Sequence, residues 1–245
     1  MRAFQFEKLA GIESLQQVDL PRPKPGPGQV LIKVHAVSLN FRDLLIAKGN
    51  VVQNASFPLI PLSDGAGEVV ETGPGVTRAK TGDRVAGIFM QAWLGGRPND
   101  DGMRSAMGGY ISGMLAEYRV LSEQGVVHIP EHLSFEEAAT LPCAGVTAWN
   151  ALASPGSLKA GDTVLVQGTG GVSVFALQFA QLLGARVIAT SSRAEKLQKM
   201  TNLGAFAGIN YKLHPDWDDE VRRITNNEGV DHVVEVGGRE PCPNP

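Results

Sequence analysis

Apolar positions along the chain fall into two regimes. From Met1 to about Val127 they come in short alternating or apolar runs, Val30 to Val37, Gly67 to Val70, Arg84 to Phe89 and Glu117 to Leu121, separated by turn clusters rich in Gly and Pro. Runs of this length and period between turn residues predict strands, so residues 1–127 are expected to form a small, mostly β domain. The segment Pro21-Arg22-Pro23-Lys24-Pro25-Gly26-Pro27-Gly28 is too proline-rich for a central strand and predicts an extended surface connector.

Beyond Pro130 the pattern changes. Ser134 followed by Glu137 is a capping-box signature, and the apolar residues after it suit helices. Thr163 to Val166, Arg186 to Ala189, Gly208 to Asn210 and His232 to Val236 then predict short buried strands. Between them lie helical stretches around Val174 to Leu183, Ala194 to Leu203 and Asp218 to Thr225. Such alternation predicts βαβ units and a parallel sheet, which makes residues 128–245 an α/β domain with helices at its start.

Composition narrows the ligand. With 245 residues and 43% hydrophobic content there is room for two modest cores, and a net charge of -3 leaves no broad basic field. Nucleic acid and anionic membrane surfaces are therefore not the expected partners; a small molecule is. No apolar run approaches the roughly 18 residues of a membrane span. Glu7, Lys8 and Glu13 interrupt the place of a secretory h-region, so a cytoplasmic location is expected. Cys143 and Cys242 form no C-x-x-C pair, which fits a reducing compartment.

The chemistry begins at Val164-Leu-Val-Gln-Gly-Thr-Gly-Gly-Val-Ser-Val-Phe, where a strand turns directly into an apolar helix. Gly168, Thr169, Gly170, Gly171 and Val172 form the turn. Side chains at its glycines would block the approach of a pyrophosphate to backbone N–H groups, and the helix dipole favours the anion. Ser173, small enough for close helix–strand packing, stands where a third glycine is usual. No Gly-Lys-Ser/Thr follows, which disfavours a mononucleotide P-loop. About 20 residues on, an NAD site places an acid on the ribose hydroxyls. Here the sequence reads Ile188-Ala-Thr-Ser-Ser-Arg-Ala-Glu-Lys, offering Ser191, Ser192, Arg193 and Lys196 to a 2′-phosphate. NADPH is the expected cofactor.

Several short motifs occur together: Gly28-Gln-Val-Leu-Ile-Lys-Val, Asn40-Phe-Arg-Asp, Asp64-Gly-Ala-Gly-Glu-Val, Gly82-Asp-Arg-Val, Leu141-Pro-Cys-Ala-Gly-Val-Thr-Ala-Trp and the Gly168 turn. In this order and spacing the chain, to Gly238, resembles the zinc-independent, quinone oxidoreductase-like branch of the medium-chain dehydrogenase/reductase superfamily. The resemblance implies a GroES-like barrel followed by a Rossmann domain, with the active site in the cleft between them. It implies that Asn40 faces nicotinamide and substrate, that Thr147 lies against the nicotinamide side, and that Tyr211 touches the adenosine phosphate. Arg42 and Asp43 read as a local structural pair.

Zinc-using relatives carry Cys at the place of Asn40 and a His-Glu pair at that of Ser63 and Asp64, so only Cys143 matches a catalytic ligand. One thiolate does not replace three protein ligands, residues 91–105 lack the four cysteines of a structural lobe, and His35, His128, His132, His214 and His232 show no HExxH spacing. No metal is expected. Hydride transfer to a quinone or enone is the reaction implied, although some relatives place a proton-donating tyrosine near the positions where this chain has Leu45 and Val51. A nucleotide-binding protein with little catalysis is the alternative. A complete dinucleotide fold has about six strands in two halves, whereas four are counted here. Because Arg239-Glu-Pro-Cys-Pro-Asn-Pro cannot continue as a helix, the chain reads as C-terminally truncated, with residues 239–245 poorly ordered. The homodimer usual for full-length relatives is left open for it.

Overall fold

The computed structural model describes residues 1–52, 55–153 and 158–237, and the expectation for 239–245 lies outside them, as does Cys242. The described chain divides into two compact units, Met1–Cys143 and Ala144–Pro245.

The first unit is built on β strands. β1 (Arg2–Phe6) pairs antiparallel with β2 (Leu15–Asp19). The main sheet comprises β3 (Gln29–Ser38), β4 (Asp64–Thr72), β5 (Arg84–Gly87), β6 (Tyr118–Ser122) and β7 (Val126–His128), in the order β6-β3-β4-β5-β7. Helix α1 (Phe41–Ala47) follows β3, and the single turn α2 (Asp100–Met103) sits between β5 and β6. Val30, Ile32, Val69, Val85, Met107, Met114, Leu121 and Val126 fill the core. Two sequence features become physical here. A Cβ on Gly67 would fall on the Lys33 carbonyl oxygen, so glycine lets β3 and β4 close up. The connector after Leu20 carries no strand, as its prolines require.

Helix α3 (Phe135–Ala139) opens with the expected capping box: Glu137 N donates to Ser134 Oγ at 3.1 Å and Ser134 N to Glu137 Oε2 at 2.8 Å. Its Ala138 and Ala139 pack with Ala66, Ala86 and Ile129. This packing on the β sheet puts the division between compact units at Cys143, later than the change of sequence pattern after Val127.

The second unit alternates as the apolar pattern requires. Helix α4 (Val146–Ala153) leads to β8 (Thr163–Gln167), α5 (Gly171–Leu182), β9 (Arg186–Ser191), α6 (Ala194–Asn202), β10 (Ala207–Asn210), α7 (Trp217–Ile224) and β11 (His232–Val234). The four strands are parallel, in the order β10-β9-β8-β11. Val164, Val166, Val187 and Ala189 meet Ala176, Leu177 and Ala180 of α5 on one face, whereas Leu165, Ile188 and Ile209 meet Val221 of α7 on the other. A sheet covered on both faces needs runs such as Thr-Val-Leu-Val with no polar alternation.

Candidate functional site

In the second unit, the C-terminal ends of three neighbouring strands gather most of the sequence-predicted residues. Gly168 leaves β8 with φ of +97°, a left-handed conformation for which glycine is suited. Its N–H donates to the Thr190 carbonyl at 3.1 Å, tying the glycine turn to the end of β9. Gly170 is the N-cap of α5, no side chain caps that end, and a Cβ built on Gly170 would meet nothing within 4 Å. The first N–H groups of the helix thus open onto free space beside the positive end of its dipole. Ser173 is buried beneath the turn, the packing role expected of a small residue at that place.

Ser191 is buried at the end of β9 and Ser192 half-buried after it, while Arg193, the N-cap of α6, and Lys196 are exposed. Arg193 N donates to Ser191 Oγ at 3.4 Å, and Tyr211 N donates to the Ser191 carbonyl at 3.2 Å. The second bond brings exposed Tyr211, just past β10, alongside the serines. No carboxylate stands on the β9 end itself; Glu195 belongs to the first turn of α6. Thr147 lies exposed on α4, which packs beside α5. A Cβ on Gly171 would make an ordinary contact with Ala144 at 3.6 Å. An open glycine turn beside hydroxyl and cationic side chains suits a dinucleotide phosphate.

Asn40 belongs to the first unit and caps α1. Its N–H donates to Asp43 Oδ2 at 2.8 Å, and Asp43 N returns a bond to its carbonyl at 3.0 Å. Behind it lies a buried polar cluster that the sequence did not reveal as a unit. Ser63 and Asp64 are both 0% exposed. Ser63 Oγ donates to Asp64 Oδ1 at 2.6 Å and Cys143 N donates to Asp64 Oδ2 at 3.0 Å. The Arg42 guanidinium lies over the Phe89 ring at 4.5 Å, donates to the Met107 carbonyl at 3.2 Å and pairs with Asp43 at 3.4 Å. Arg42 and Asp43 are thus the local pair expected, with Arg42 also pinning the Met107 backbone.

Burial dominates the electrostatics of this cluster. It raises Asp64 above the ordinary carboxylate range, against hydrogen bonding from Ser63, the pull of the Asn40 amide, the Cys143 N–H and the Arg42 charge. Asp43 is likewise raised by burial. Burial, and then the Asp64 charge, push the Cys143 thiol up to about 12. The Asn40 Nδ2 is buried and meets no acceptor in hydrogen-bond geometry. A charged residue inside an otherwise apolar run, Pro61-Leu-Ser-Asp-Gly-Ala-Gly, was the available signal for Asp64.

Two family models match the chain: the alcohol dehydrogenase GroES-like domain over residues 26–131 and the zinc-binding dehydrogenase domain over 171–244. A zinc-type alcohol dehydrogenase-like protein of Schizosaccharomyces pombe is 45% identical over 99% of this chain and 71% of its own length. The chain belongs to the medium-chain dehydrogenase/reductase superfamily. Its members catalyse oxidoreduction with a nicotinamide dinucleotide, and the relatives here bear both dehydrogenase and quinone reductase names. A quinone oxidoreductase of Pseudomonas aeruginosa is 32% identical over 98% of this chain and 67% of the relative. A crystal structure of an NAD-dependent alcohol dehydrogenase superposes with a TM-score of 0.88 at 38% identity, covering 97% of this chain and 71% of that one.

The zinc in some of these names does not suit the donors present. Asp64 already accepts Ser63 and the Cys143 amide, Asn40 and Ser63 supply neutral groups, and Cys143 alone matches a ligand of the zinc-using relatives. Among the described residues no three His, Cys, Asp or Glu side chains are grouped to hold a metal ion, and no helix is long and apolar enough to cross a membrane.

Proposed function

We propose that the chain is an NADPH-dependent reductase that transfers hydride to a quinone, enone or related carbonyl acceptor without zinc. One observation carries the cofactor reading: Ser191, Ser192, Arg193 and Lys196 follow directly from the strand bonded to the glycine turn, with no acid on the strand end. An acid there would repel a 2′-phosphate, and hydroxyl and cationic groups favour it. Gly168, Thr169, Gly170, Gly171 and Val172 would hold the pyrophosphate, Tyr211 the adenosine phosphate, and Thr147 the nicotinamide side.

When bound, the cofactor supplies the hydride, so the chain's own residues bind, orient and exclude water. Asn40 is assigned to the acceptor carbonyl, whose oxygen its carboxamide would hydrogen-bond. Leu45 and Val51 carry no exchangeable proton. A quinone acceptor accommodates this better than a simple ketone, since quinol oxygens take protons from water.

Cofactor choice is tested by replacing Arg193 and Lys196 together with Ala and measuring NADPH and NADH affinity. Charge-assisted hydrogen bonds contribute about 1.5–3 kcal/mol when shielded. Discounted for exposure, the pair is expected to leave NADPH binding weaker by about tenfold with NADH little changed. Added salt should weaken NADPH preferentially. Equal losses for the two cofactors would remove the assignment.

A further inference from the structure

We propose that Tyr110 is the proton donor of this reductase: its phenolic hydroxyl protonates the oxygen of a para-quinone remote from the one to which Asn40 is assigned. This rests on the reductase reading given above and adds the acid that Leu45 and Val51 do not supply.

The fold brings Tyr110 to α1 from a distant stretch of sequence. Residues 106–111 close a tight turn, with Gly108 N donating to the Ile111 carbonyl at 2.8 Å and Tyr110 N to that of Ala106 at 3.2 Å. Arg42, in the first turn of α1, ties this turn to the helix by its bond to the Met107 carbonyl at 3.2 Å. Gly109 lets the two approach closely, since a Cβ there would stand 3.2 Å from Arg42 Nη2 and from Val52, and 3.3 Å from Ile46. The Tyr110 side chain accordingly packs against the cluster of Ile46, Val52 and Leu59. Its hydroxyl has no structural role. Among the described residues it forms no hydrogen bond, and the shielded side-chain atoms without a partner are Asn40 Nδ2, Gln91 Oε1 and Arg119 Nε, so the oxygen of half-buried Tyr110 meets solvent. A ring held by apolar neighbours with its hydroxyl left free is a donor fixed in place. Ser63, by contrast, commits its proton to Asp64 at 2.6 Å.

Position bears on the acceptor. Asn40 caps the start of α1, whereas Tyr110 packs beside Ile46 near its end, about 9 Å further along the axis at 1.5 Å per residue. Groups so placed suit an acceptor with an oxygen at either end, which a para-quinone has and a simple enone lacks. A quinone that takes hydride at one carbonyl oxygen becomes aromatic, and the electron pair released from the opposite C=O rests on the far oxygen. There the Tyr110 O–H bond breaks as the second quinol O–H bond forms, and the tyrosinate takes a proton from water.

Tyr110→Phe tests this cleanly, because it removes only an unpartnered hydroxyl and keeps the ring in its apolar seat. Melting temperature and NADPH affinity should stay as in the wild type. The deciding measurement is kcat across para-quinones graded by substituent, from methylated ones, whose quinol anions are basic, to tetrachlorinated ones, whose anions are weakly basic. An acid contributes more, the more basic the oxygen it protonates, so Tyr110→Phe should lower kcat about 100-fold for methylated quinones and progressively less towards the chlorinated end. A loss of the same size for every quinone, as a packing defect would give, or no loss at all, overturns the proposal and leaves the reductase reading standing. A wild-type chain that oxidises NADPH with no quinone overturns the reductase reading, and the proton donor with it.

Discussion

At Gly170 the fold leaves open the space that the proposed pyrophosphate would need. A side chain there meets no atom of the chain within 4 Å, and the residue's φ of -79° is open to any amino acid. Gly170→Val should therefore fold with a small loss of thermal stability while NADPH and NADH binding fall together, since both share the pyrophosphate. Gly168→Ala differs in kind: at φ +97° it strains the backbone and costs about 1 kcal/mol of stability as well. Calorimetric titration paired with thermal melts separates the two, and undiminished binding by Gly170→Val would place the pyrophosphate elsewhere. The glycine turn was legible in the sequence because its residues are consecutive. The Asp64 cluster was not, because Asn40, Asp64 and Cys143 meet only through sheet pairing and helix placement.

At the scale of elements, the second unit follows its sequence closely. Buried parallel strands write unbroken apolar runs, and β8 and β9 fall where those runs lie. The last predicted strand is shorter than expected, with β11 ending at Val234. The first unit is less legible in its sequence. β2 is half-exposed with no regular alternation, β7 has three residues, and α1 spans seven, each too short or too polar to stand out from its turns. These unpredicted elements shape the site, since α1 carries Arg42 and Asp43 beside Asn40 and the start of β4 supplies Asp64. The same placement sets Cys143 beside a carboxylate whose oxygens already accept the Ser63 hydroxyl and the Cys143 amide, with neutral Asn40 and Ser63 in place of further ligands. Purified protein should accordingly contain far less than one zinc per chain by elemental analysis, and chelators should leave its melting temperature unchanged. One tightly held zinc per chain would show that these donors rearrange to bind it.

At the scale of the whole molecule, family membership rests on motifs and domain models found along most of the chain, which spans 71% of the length of the S. pombe relative. Relatives named for quinones and one named for NAD show that fold alone decides neither acceptor nor cofactor. In the function proposed above, those choices rest on a few side chains: the serines and cations after β9, and the polar cluster around Asn40. Both come together in one assay, the initial rate of cofactor oxidation by the purified chain with a quinone acceptor, compared for NADPH and NADH. The account predicts acceptor-dependent oxidation with kcat/KM for NADPH at least about tenfold above that for NADH. Equal or greater efficiency with NADH, or no oxidation of NADPH across quinones and enones, would contradict it.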